Sequence, residues 1–139
     1  MNNKIPQQGE SIPRQGEIWL ADFNRKKTNE QSKIRPVLIL SNNWQNQTSR
    51  YVVVAPLTSD EEKLKYVASF EVLIEAEPKN GLDTKSKILL HRLLAIEKNL
   101  RLIERKGKVE EKIWAQVWKA LWVVFTGKKT NDKQIFEVN

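Results

Sequence analysis

Residues 30–43 read EQSKIRPVLILSNN, a polar stretch that passes through Arg35 and Pro36 into an apolar run. The apolar part, residues 36–41, is rich in β-forming side chains and predicts a central strand. Arg35 therefore stands at the mouth of that strand, where a rigid element can aim its guanidinium at a negatively charged group. The alternative is that an arginine before proline only keeps the edge of a strand soluble.

A second apolar run, residues 51–59, reads YVVVAPLTS and ends in two adjacent hydroxyl side chains, Thr58 and Ser59. Residues 51–55 predict another central strand, paired with the first as a hairpin whose long connection, residues 42–50, is of turn type. An arginine and hydroxyls at the ends of two neighbouring strands can grip a phosphate together. The alternative for the hydroxyls is an ordinary turn with a hydroxyl cap at the end of a strand.

The remaining pattern predicts a mainly β domain with one late helix. Further strands are predicted at 16–23, 68–75 and 87–94, with a turn at 78–81. Apolar residues at helical spacing predict a helix over 109–125, which Gly127 ends. Five or six short strands without alternating helices predict a small, strongly curved sheet or barrel that the helix caps.

With 139 residues, the chain has room for one domain with a proper core. That domain is expected at residues 14–127, between a flexible leader at 1–13 and a loose tail at 128–139. The leader lacks an apolar core of the signal-peptide kind, and no apolar run approaches the roughly 18 residues of a membrane span, so a cytoplasmic protein is expected.

The charge balance predicts a polyanionic partner. Lysine and arginine number 24 against 17 acidic residues, for a formal net charge of +7. Nucleic acid is the first candidate and an acidic protein the second, while the alternative is a soluble basic domain without such a partner. The sequence has no cysteine and one histidine, which excludes disulfides, thiolate metal sites and histidine-rich metal sites.

Several short motifs occur in a fixed order. They are Gly16-Glu17-Ile18-Trp19, Glu30-Gln31 with Arg35-Pro36-Val37-Leu38, Ser41-Asn42-Asn43 and Pro56-Leu57-Thr58-Ser59. In order and spacing these motifs resemble the MazF/PemK (Kid) toxin family, and the resemblance covers roughly residues 14–126. It implies an SH3-like small barrel of the CcdB/Kid/MazF type that forms a homodimer. It further implies a metal-independent, sequence-selective endoribonuclease without a cofactor, which an antitoxin peptide laid across the dimer inhibits.

The resemblance also implies roles for particular residues. The family's catalytic arginine falls on Arg35, its catalytic threonine on Thr58 and its loop glutamate on Glu30. His91 falls where the family often has a carboxylate. Cleaving RNA without a metal requires proton transfer, and because histidine changes charge near neutral pH, His91 is preferred to Glu30 for it. The alternative for His91 is a hydrogen-bonded core or edge residue.

Further residues are expected to bind RNA. They are Ser59, Gln31, Lys33 and Arg92. The basic run at residues 25–27 can follow an RNA backbone, or it can be a solvated loop. Two departures from the family pattern stand out. The loop around Glu30-Gln31 is less rich in glycine, so it is expected to be stiffer and more basic. Leu94-Ala95 stands where the family has Arg-Thr, which is expected to alter substrate choice or activity.

Tryptophan recurs at every fourth residue of the predicted helix, at Trp114, Trp118 and Trp122. All three rings can belong to the core, or some can lie on a subunit or antitoxin interface, where tryptophan is enriched. Trp44 can stack on an RNA base or cover the edge of the barrel.

Two further classes of function stay open beside the endoribonuclease. One is a binding protein of the same fold, such as an inhibitor of DNA gyrase, which would use the end of the helix and would not need Arg35 and Thr58. The other is a degenerate member that binds RNA or an antitoxin without cutting. The presence of Arg35, Thr58 and Ser59 together favours the endoribonuclease over the gyrase inhibitor.

Overall fold

Residues 12–23 and 33–129 are described by a computed structural model of the chain. The strands in this part are β1 (Glu17–Asp22), β2 (Ile34–Ile39), β3 (Tyr51–Thr58), β4 (Glu71–Ile74), β5 (Ser86–Leu89), β6 (Leu94–Glu97) and β7 (Leu102–Lys108). The helices are α1 (Asn43–Thr48), α2 (Glu61–Leu64), α3 (Lys98–Arg101) and α4 (Glu111–Thr126), with one 3₁₀ turn at Leu90–Arg92. The predicted class, mainly β with a C-terminal helix, is confirmed.

The seven strands of the described part form one antiparallel sheet, in the order β4-β5-β3-β2-β1-β7, with β6 paired to β3 outside that path. The predicted hairpin of β2 and β3 is confirmed, with Val37 opposite Pro56 and Ile39 opposite Val54. β3 is the longest strand and pairs with three others, which places it at the centre of the fold.

Both faces of the central strands are buried, which explains their continuous apolar sequences. Side chains on one face, including Ile18, Leu38 and Leu57, form a core cluster that α4 covers through Val117 and Ala120. Side chains on the other face form a second cluster, which includes Trp19, Ala21, Val37, Ile39, Val52, Val54 and Ile96. Neighbouring residues such as Val37 and Leu38 belong to different clusters because successive side chains of a strand point to opposite faces.

The connection between β2 and β3 is not the turn-type segment expected at residues 42–50, because it contains helix α1. Asn42 caps this helix, since its side-chain oxygen accepts a hydrogen bond from the Gln45 backbone N–H at 2.8 Å. The fully buried Asn46 holds the helix to the sheet, because its amide donates to the Ser41 carbonyl at 3.0 Å. Trp44 is 74 % exposed, so it does not cover an edge of the barrel.

The single strand predicted at 87–94 was wrong, because the chain breaks there into β5, the 3₁₀ turn and β6. β5 pairs with the end of β3 at Leu57 and Thr58, whereas β6 pairs with the beginning of β3 from Tyr51 to Val54. The 3₁₀ turn connects the segment paired at Leu57 with the segment that begins opposite Val54. His91 therefore projects from a turn and not from a strand.

The predicted turn at residues 78–81 is confirmed, and it packs against β7, a strand that the sequence pattern did not reveal. The buried Asn80 side chain accepts hydrogen bonds from the Glu77 and Leu82 backbone N–H groups at 3.1 and 2.9 Å. Gly81 has a φ of +74°, and a Cβ there would lie 2.1 Å from the Lys106 carbonyl oxygen. Only glycine fits both the backbone angle and the space.

Helix α4 agrees with the predicted helix, and Gly127 ends it with a left-handed φ of +72° and a backbone hydrogen bond to Val123. Trp114 packs against the core, and its ring meets that of Trp118 edge-on, with centroids 5.9 Å apart. Trp118 is 42 % exposed, so the three tryptophans are not all core residues.

Part of the expected leader and tail, residues 1–11 and 130–139, lies outside the described residues, and Pro13 is fully buried. No helix in the described ranges is long and apolar enough to span a membrane.

Candidate active site

Arg35 and Thr58 come together at the mouth of the hairpin formed by β2 and β3. Pairing ends at Val37 opposite Pro56, and extending this register by two residues would place Arg35 opposite Thr58. Residues two apart in a strand share a face, so both side chains lie on the side of the second core cluster. Both line a cleft of about 270 Å³ and an adjoining depression of about 510 Å³. We call this combined space the Arg35 cleft.

The Arg35 cleft is strongly basic. Its cationic lining residues are Lys33, Arg35, Lys63 and Arg92. None of these four forms an ion pair with another residue of the described part. Asp60, which also lines the cleft, uses one carboxylate oxygen to cap α2 by accepting from the Glu62 backbone N–H. Since cations outnumber the carboxylate four to one, the cleft is suited to an anionic chain such as a phosphodiester backbone.

The hydroxyl groups of Thr58 and Ser59 differ in their surroundings. Thr58 is 7 % exposed, and its hydroxyl oxygen accepts a hydrogen bond from the Asp60 backbone N–H at 3.3 Å. The hydroxyl hydrogen is thereby left to donate to a group in the cleft. Ser59 is exposed on the rim. A substrate oxygen beside Arg35 can therefore receive hydrogen bonds from a guanidinium and a hydroxyl at once.

His91 lies in a neighbouring cleft and does not line the Arg35 cleft. Its ring contacts that of Phe70, with centroids 4.5 Å apart and planes tilted by 55°. We call this second space, of about 380 Å³, the His91 cleft; its lining residues are Glu62, Lys63, Tyr66, Glu71, Lys87, Leu89, His91 and Arg92. Lys63, Leu89 and Arg92 line both clefts, which are therefore adjacent.

The other predicted site residues divide into two groups. Lys33 and Arg92 line the Arg35 cleft, whereas Glu30 and Gln31 lie outside the described residues, as does the basic run at 25–27. Leu94 presents an apolar side chain to the cleft, at the position where the family pattern has an arginine. Arg92, two residues earlier in the chain, supplies a guanidinium to the same cleft.

Two charged residues that line the His91 cleft, Glu71 and Lys87, were not predicted as site residues from the sequence. The Lys87 ammonium donates to Glu71 Oε1 at 2.8 Å, and their side chains are only 7 % (Lys87) and 10 % (Glu71) exposed. Burial raises the pKa of Glu71, but the hydrogen bonds from Lys87 and from the Ala68 backbone N–H outweigh it, so its pKa is lowered. A signal for this pair was present, because a lysine within the buried run Ser86–Leu89 requires a partner.

Within residues 12–23 and 33–129, no group of three histidine or acidic side chains is arranged to hold a metal ion.

Fold and cleft together define a class of protein: a small basic β protein with an arginine and a threonine from two neighbouring strands in one basic cleft. The chain matches the model of the PemK-like, MazF-like toxins of type II toxin-antitoxin systems over residues 14–125, and it belongs to this family.

Relatives of known name support the assignment. A protein named endoribonuclease MazF from Staphylococcus saprophyticus is 34 % identical over 108 residues, and one from Staphylococcus epidermidis is 33 % identical over 108 residues. Each alignment covers 78 % of this chain and 87 % of the relative.

Solved structures share the fold. A mycobacterial endoribonuclease in complex with its cognate antitoxin superposes with a TM-score of 0.67 at 18 % identity, covering 85 % of this chain and 99 % of that chain. MazF from Deinococcus radiodurans gives a TM-score of 0.61 at 21 % identity, covering 81 % and 96 %.

Proposed function

We propose that this toxin is an endoribonuclease that cuts single-stranded RNA in the Arg35 cleft without a metal ion. The observation that carries the proposal is that Arg35 and Thr58, from two different strands, line one basic cleft. Family membership and the relatives named endoribonuclease support the same activity. The clefts are open, and an unpaired strand can lay its phosphates along them more readily than a duplex can.

In the proposed reaction the ribose 2′-oxygen attacks the adjacent phosphorus. A bond forms between the 2′-oxygen and phosphorus, the bond from phosphorus to the 5′-oxygen breaks, and the products are a 2′,3′-cyclic phosphate and a 5′-hydroxyl. Arg35 donates hydrogen bonds to the non-bridging oxygens, where negative charge builds up in the transition state. Thr58 donates a further hydrogen bond to the same oxygens, with Ser59 beside it. Lys33 and Arg92 hold the neighbouring phosphates.

Proton transfer is assigned to one of two residues. The 2′-hydroxyl must lose a proton and the leaving 5′-oxygen must gain one. His91 is close to the Arg35 cleft through their shared wall, although it faces the neighbouring cleft. Glu30 and Gln31 precede Lys33, which lines the Arg35 cleft, so Glu30 is the second candidate and Gln31 is proposed to contact the RNA.

We further propose a homodimer that a cognate antitoxin protein inhibits in the cytoplasm. Membership of a family of type II toxins supports the antitoxin, as does the mycobacterial endoribonuclease solved in complex with its cognate antitoxin. Exposed aromatic side chains on α4, Trp118 and Phe125, are suited to such an interface.

Cleavage of a long RNA by the purified protein in the presence of EDTA tests the proposal. We expect cuts that carry a 2′,3′-cyclic phosphate and a 5′-hydroxyl, mapped by end-specific ligation and sequencing. A matched RNA with 2′-deoxyribose at the cut site should bind and remain intact, because it lacks the nucleophile. Cutting of the deoxy substrate, or a requirement for added metal, would contradict the mechanism, and an intact RNA under all conditions would favour a non-catalytic binding protein.

A further inference from the structure

The connection between β3 and β4, residues 59–70, carries part of the Arg35 cleft but has no core of its own. Ser59, Asp60 and Lys63 line the Arg35 cleft, and Lys63 lines the His91 cleft as well. None of residues 59–70, all of which the structure describes, is buried. We call this stretch the Lys63 segment. Because a stretch without buried side chains opens easily, something else must hold Lys63 in place.

Two buried charged side chains from the neighbouring strands hold the second half of the segment. Lys87 Nζ donates to the Tyr66 carbonyl oxygen at 2.9 Å, and Glu71 Oε1 accepts from the Ala68 backbone N–H at 3.0 Å. Lys87 and Glu71 also bond to each other at 2.8 Å, with side chains only 7 % and 10 % exposed. The pair therefore fastens the backbone of the segment to the sheet at two points.

The first half of the segment is held separately, beside the hydroxyl of Thr58. The Asp60 backbone N–H donates to that hydroxyl oxygen at 3.3 Å, and the Asp60 side chain caps α2, whose last turn carries Lys63. Lys63 thus lies between the bond at Asp60 and the two bonds at Tyr66 and Ala68. Without the latter two, the chain that follows Lys63 loses its attachment to β4 and β5.

Sheet register places these attachments on the face of the reaction site. Lys87 on β5 pairs with Thr58 on β3, so their side chains lie on the same face of the sheet. Phe70 contacts the His91 ring, with centroids 4.5 Å apart, but it directly precedes β4 and so holds only the end of the segment. The part that carries Lys63 depends on the buried pair.

A buried ion pair is a poor means of stabilising a fold. Both charges lose their water, and an apolar pair of similar size is often as stable or more so. The charges are nevertheless present at neutral pH, because the pKa of Glu71 is lowered despite burial. Such a pair can instead fix one particular arrangement of the backbone groups that it bonds, here those of the Lys63 segment.

We propose that Lys87 and Glu71 are positioning residues that hold the Lys63 segment against the sheet, so that Lys63 contacts a phosphate of the RNA strand bound in the Arg35 cleft. Neither residue of the pair needs to touch the RNA, because both act through the backbone of the segment. This inference rests on the proposed function, since that function supplies the RNA, but its test measures binding and not cutting.

The double variant Lys87→Met/Glu71→Leu tests the proposal. It removes both charges at once and leaves no unpaired charge inside, so the fold should survive, which a melting curve checks. Binding of an RNA with 2′-deoxyribose at the cut site is measured by fluorescence anisotropy over a range of salt concentrations. The double variant should bind roughly tenfold more weakly, with a salt slope shallower by roughly 0.7, as expected for one lost phosphate contact.

A double-mutant cycle separates positioning from a general structural role. Lys63→Gln should weaken binding in the otherwise wild-type protein but should have no further effect in the double variant, because the contact is already lost there. Lys33→Gln is the matched control: Lys33 lines the same cleft without belonging to the segment, so its effect should be equal in both backgrounds. An equal effect of Lys63→Gln in both backgrounds would overturn the proposal.

Two measurements cover the case in which the double variant does not fold. Lys63→Gln alone changes an exposed side chain, and unchanged RNA binding by this variant would overturn the proposal. In the wild-type protein, the Ala68 amide hydrogen should exchange roughly a hundredfold more slowly than in a free peptide, because Glu71 holds it. Exchange at the free-peptide rate would show that the pair does not hold the segment.

The positioning role and the enzymatic activity can fail separately. Loss of the Lys63 contribution in the double variant of a protein that cuts no RNA would retain the positioning role and refute the endoribonuclease. Cutting of RNA by a protein in which Lys63→Gln has the same effect in both backgrounds would do the reverse.

Discussion

At the scale of single residues, Arg35 and Thr58 illustrate how two strands supply one site. Each lies at the end of a strand whose inner residues are fully buried, so the packing of Val37 and Val54 determines where the two side chains point. The strand backbone therefore sets the face of the sheet from which both side chains leave, and Arg35 itself is exposed to the cleft.

Replacing Arg35 by lysine should remove most of the proposed activity. An ammonium keeps the charge but cannot donate two hydrogen bonds in the forked geometry, and loss of one such interaction typically lowers the rate roughly a hundredfold or more. The measurement is the single-turnover cleavage rate of a defined RNA. Arg50→Lys is the control, because Arg50 forms an exposed ion pair with Glu97 and does not line the cleft. An Arg35→Lys variant that cuts at the wild-type rate would refute the role of Arg35.

His91 and Glu30 can be separated by the pH dependence of cutting. If His91 transfers the proton, the plot of the logarithm of the rate against pH should have a sloping limb on its acidic side. His91→Gln should flatten that limb and slow cutting by roughly 10² to 10⁴. Glu30→Gln should then leave the limb in place. If His91→Gln retains the rate and the pH profile and only lowers the melting temperature, the assignment passes to Glu30. Because His91 lines the neighbouring cleft and not the Arg35 cleft, comparison of these two variants decides which residue transfers the proton.

At the scale of elements, the fold depends on contacts between segments far apart in the chain. The turn at 78–81 rests on β7, where a Cβ at Gly107 would lie 2.2 Å from the Lys79 carbonyl oxygen. The Lys108 backbone N–H donates to that carbonyl at 2.9 Å. Two glycines of different segments thus allow two backbones to approach each other.

Gly81→Ala and Gly127→Ala form a matched pair for this contact. Both glycines have a left-handed φ, +74° and +72°, but only the first would press a methyl group onto a backbone carbonyl, while nothing lies within 4 Å of the second. Gly127→Ala should cost about 1 kcal/mol of unfolding free energy and Gly81→Ala about 2–4 kcal/mol. Urea denaturation measures both. Equal losses would show that the close approach of the turn to β7 contributes nothing.

At the scale of the whole molecule, part of the positive charge lies in one place, because four cations without described ion-pair partners line the Arg35 cleft. Binding of a single strand there should release counterions. The composition gives only the net charge, whereas folding brings these four cations together on one surface.

Binding of an uncleavable RNA should weaken with salt, with a slope of roughly −2 to −3 in a plot of the logarithm of the binding constant against the logarithm of salt concentration. Lys63→Gln should make this slope shallower by roughly 0.7, because it removes one phosphate contact. Lys65→Gln is the control, since Lys65 is paired with Glu62 and does not line the cleft. Identical slopes for the two variants would place the RNA elsewhere on the surface.

Local sequence pattern was sufficient for the features that depend on neighbouring residues. The buried strands β2 and β3, their pairing, helix α4 and its glycine stop follow from apolar runs, helical spacing and the conformational freedom of glycine. With the hairpin came the proximity of Arg35 and Thr58, because the register of two adjacent strands fixes which of their ends meet.

The remaining features became visible only in the folded chain. β7 is too rich in charge to read as a strand, and it forms because β1 offers it hydrogen bonds. The break between β5 and β6, which places His91 in its own cleft, follows from both segments pairing with different ends of β3. The Glu71–Lys87 pair likewise exists only once β4 and β5 are side by side. Each of these features is stabilised by a partner distant in the chain, and no local pattern records which distant segment that will be.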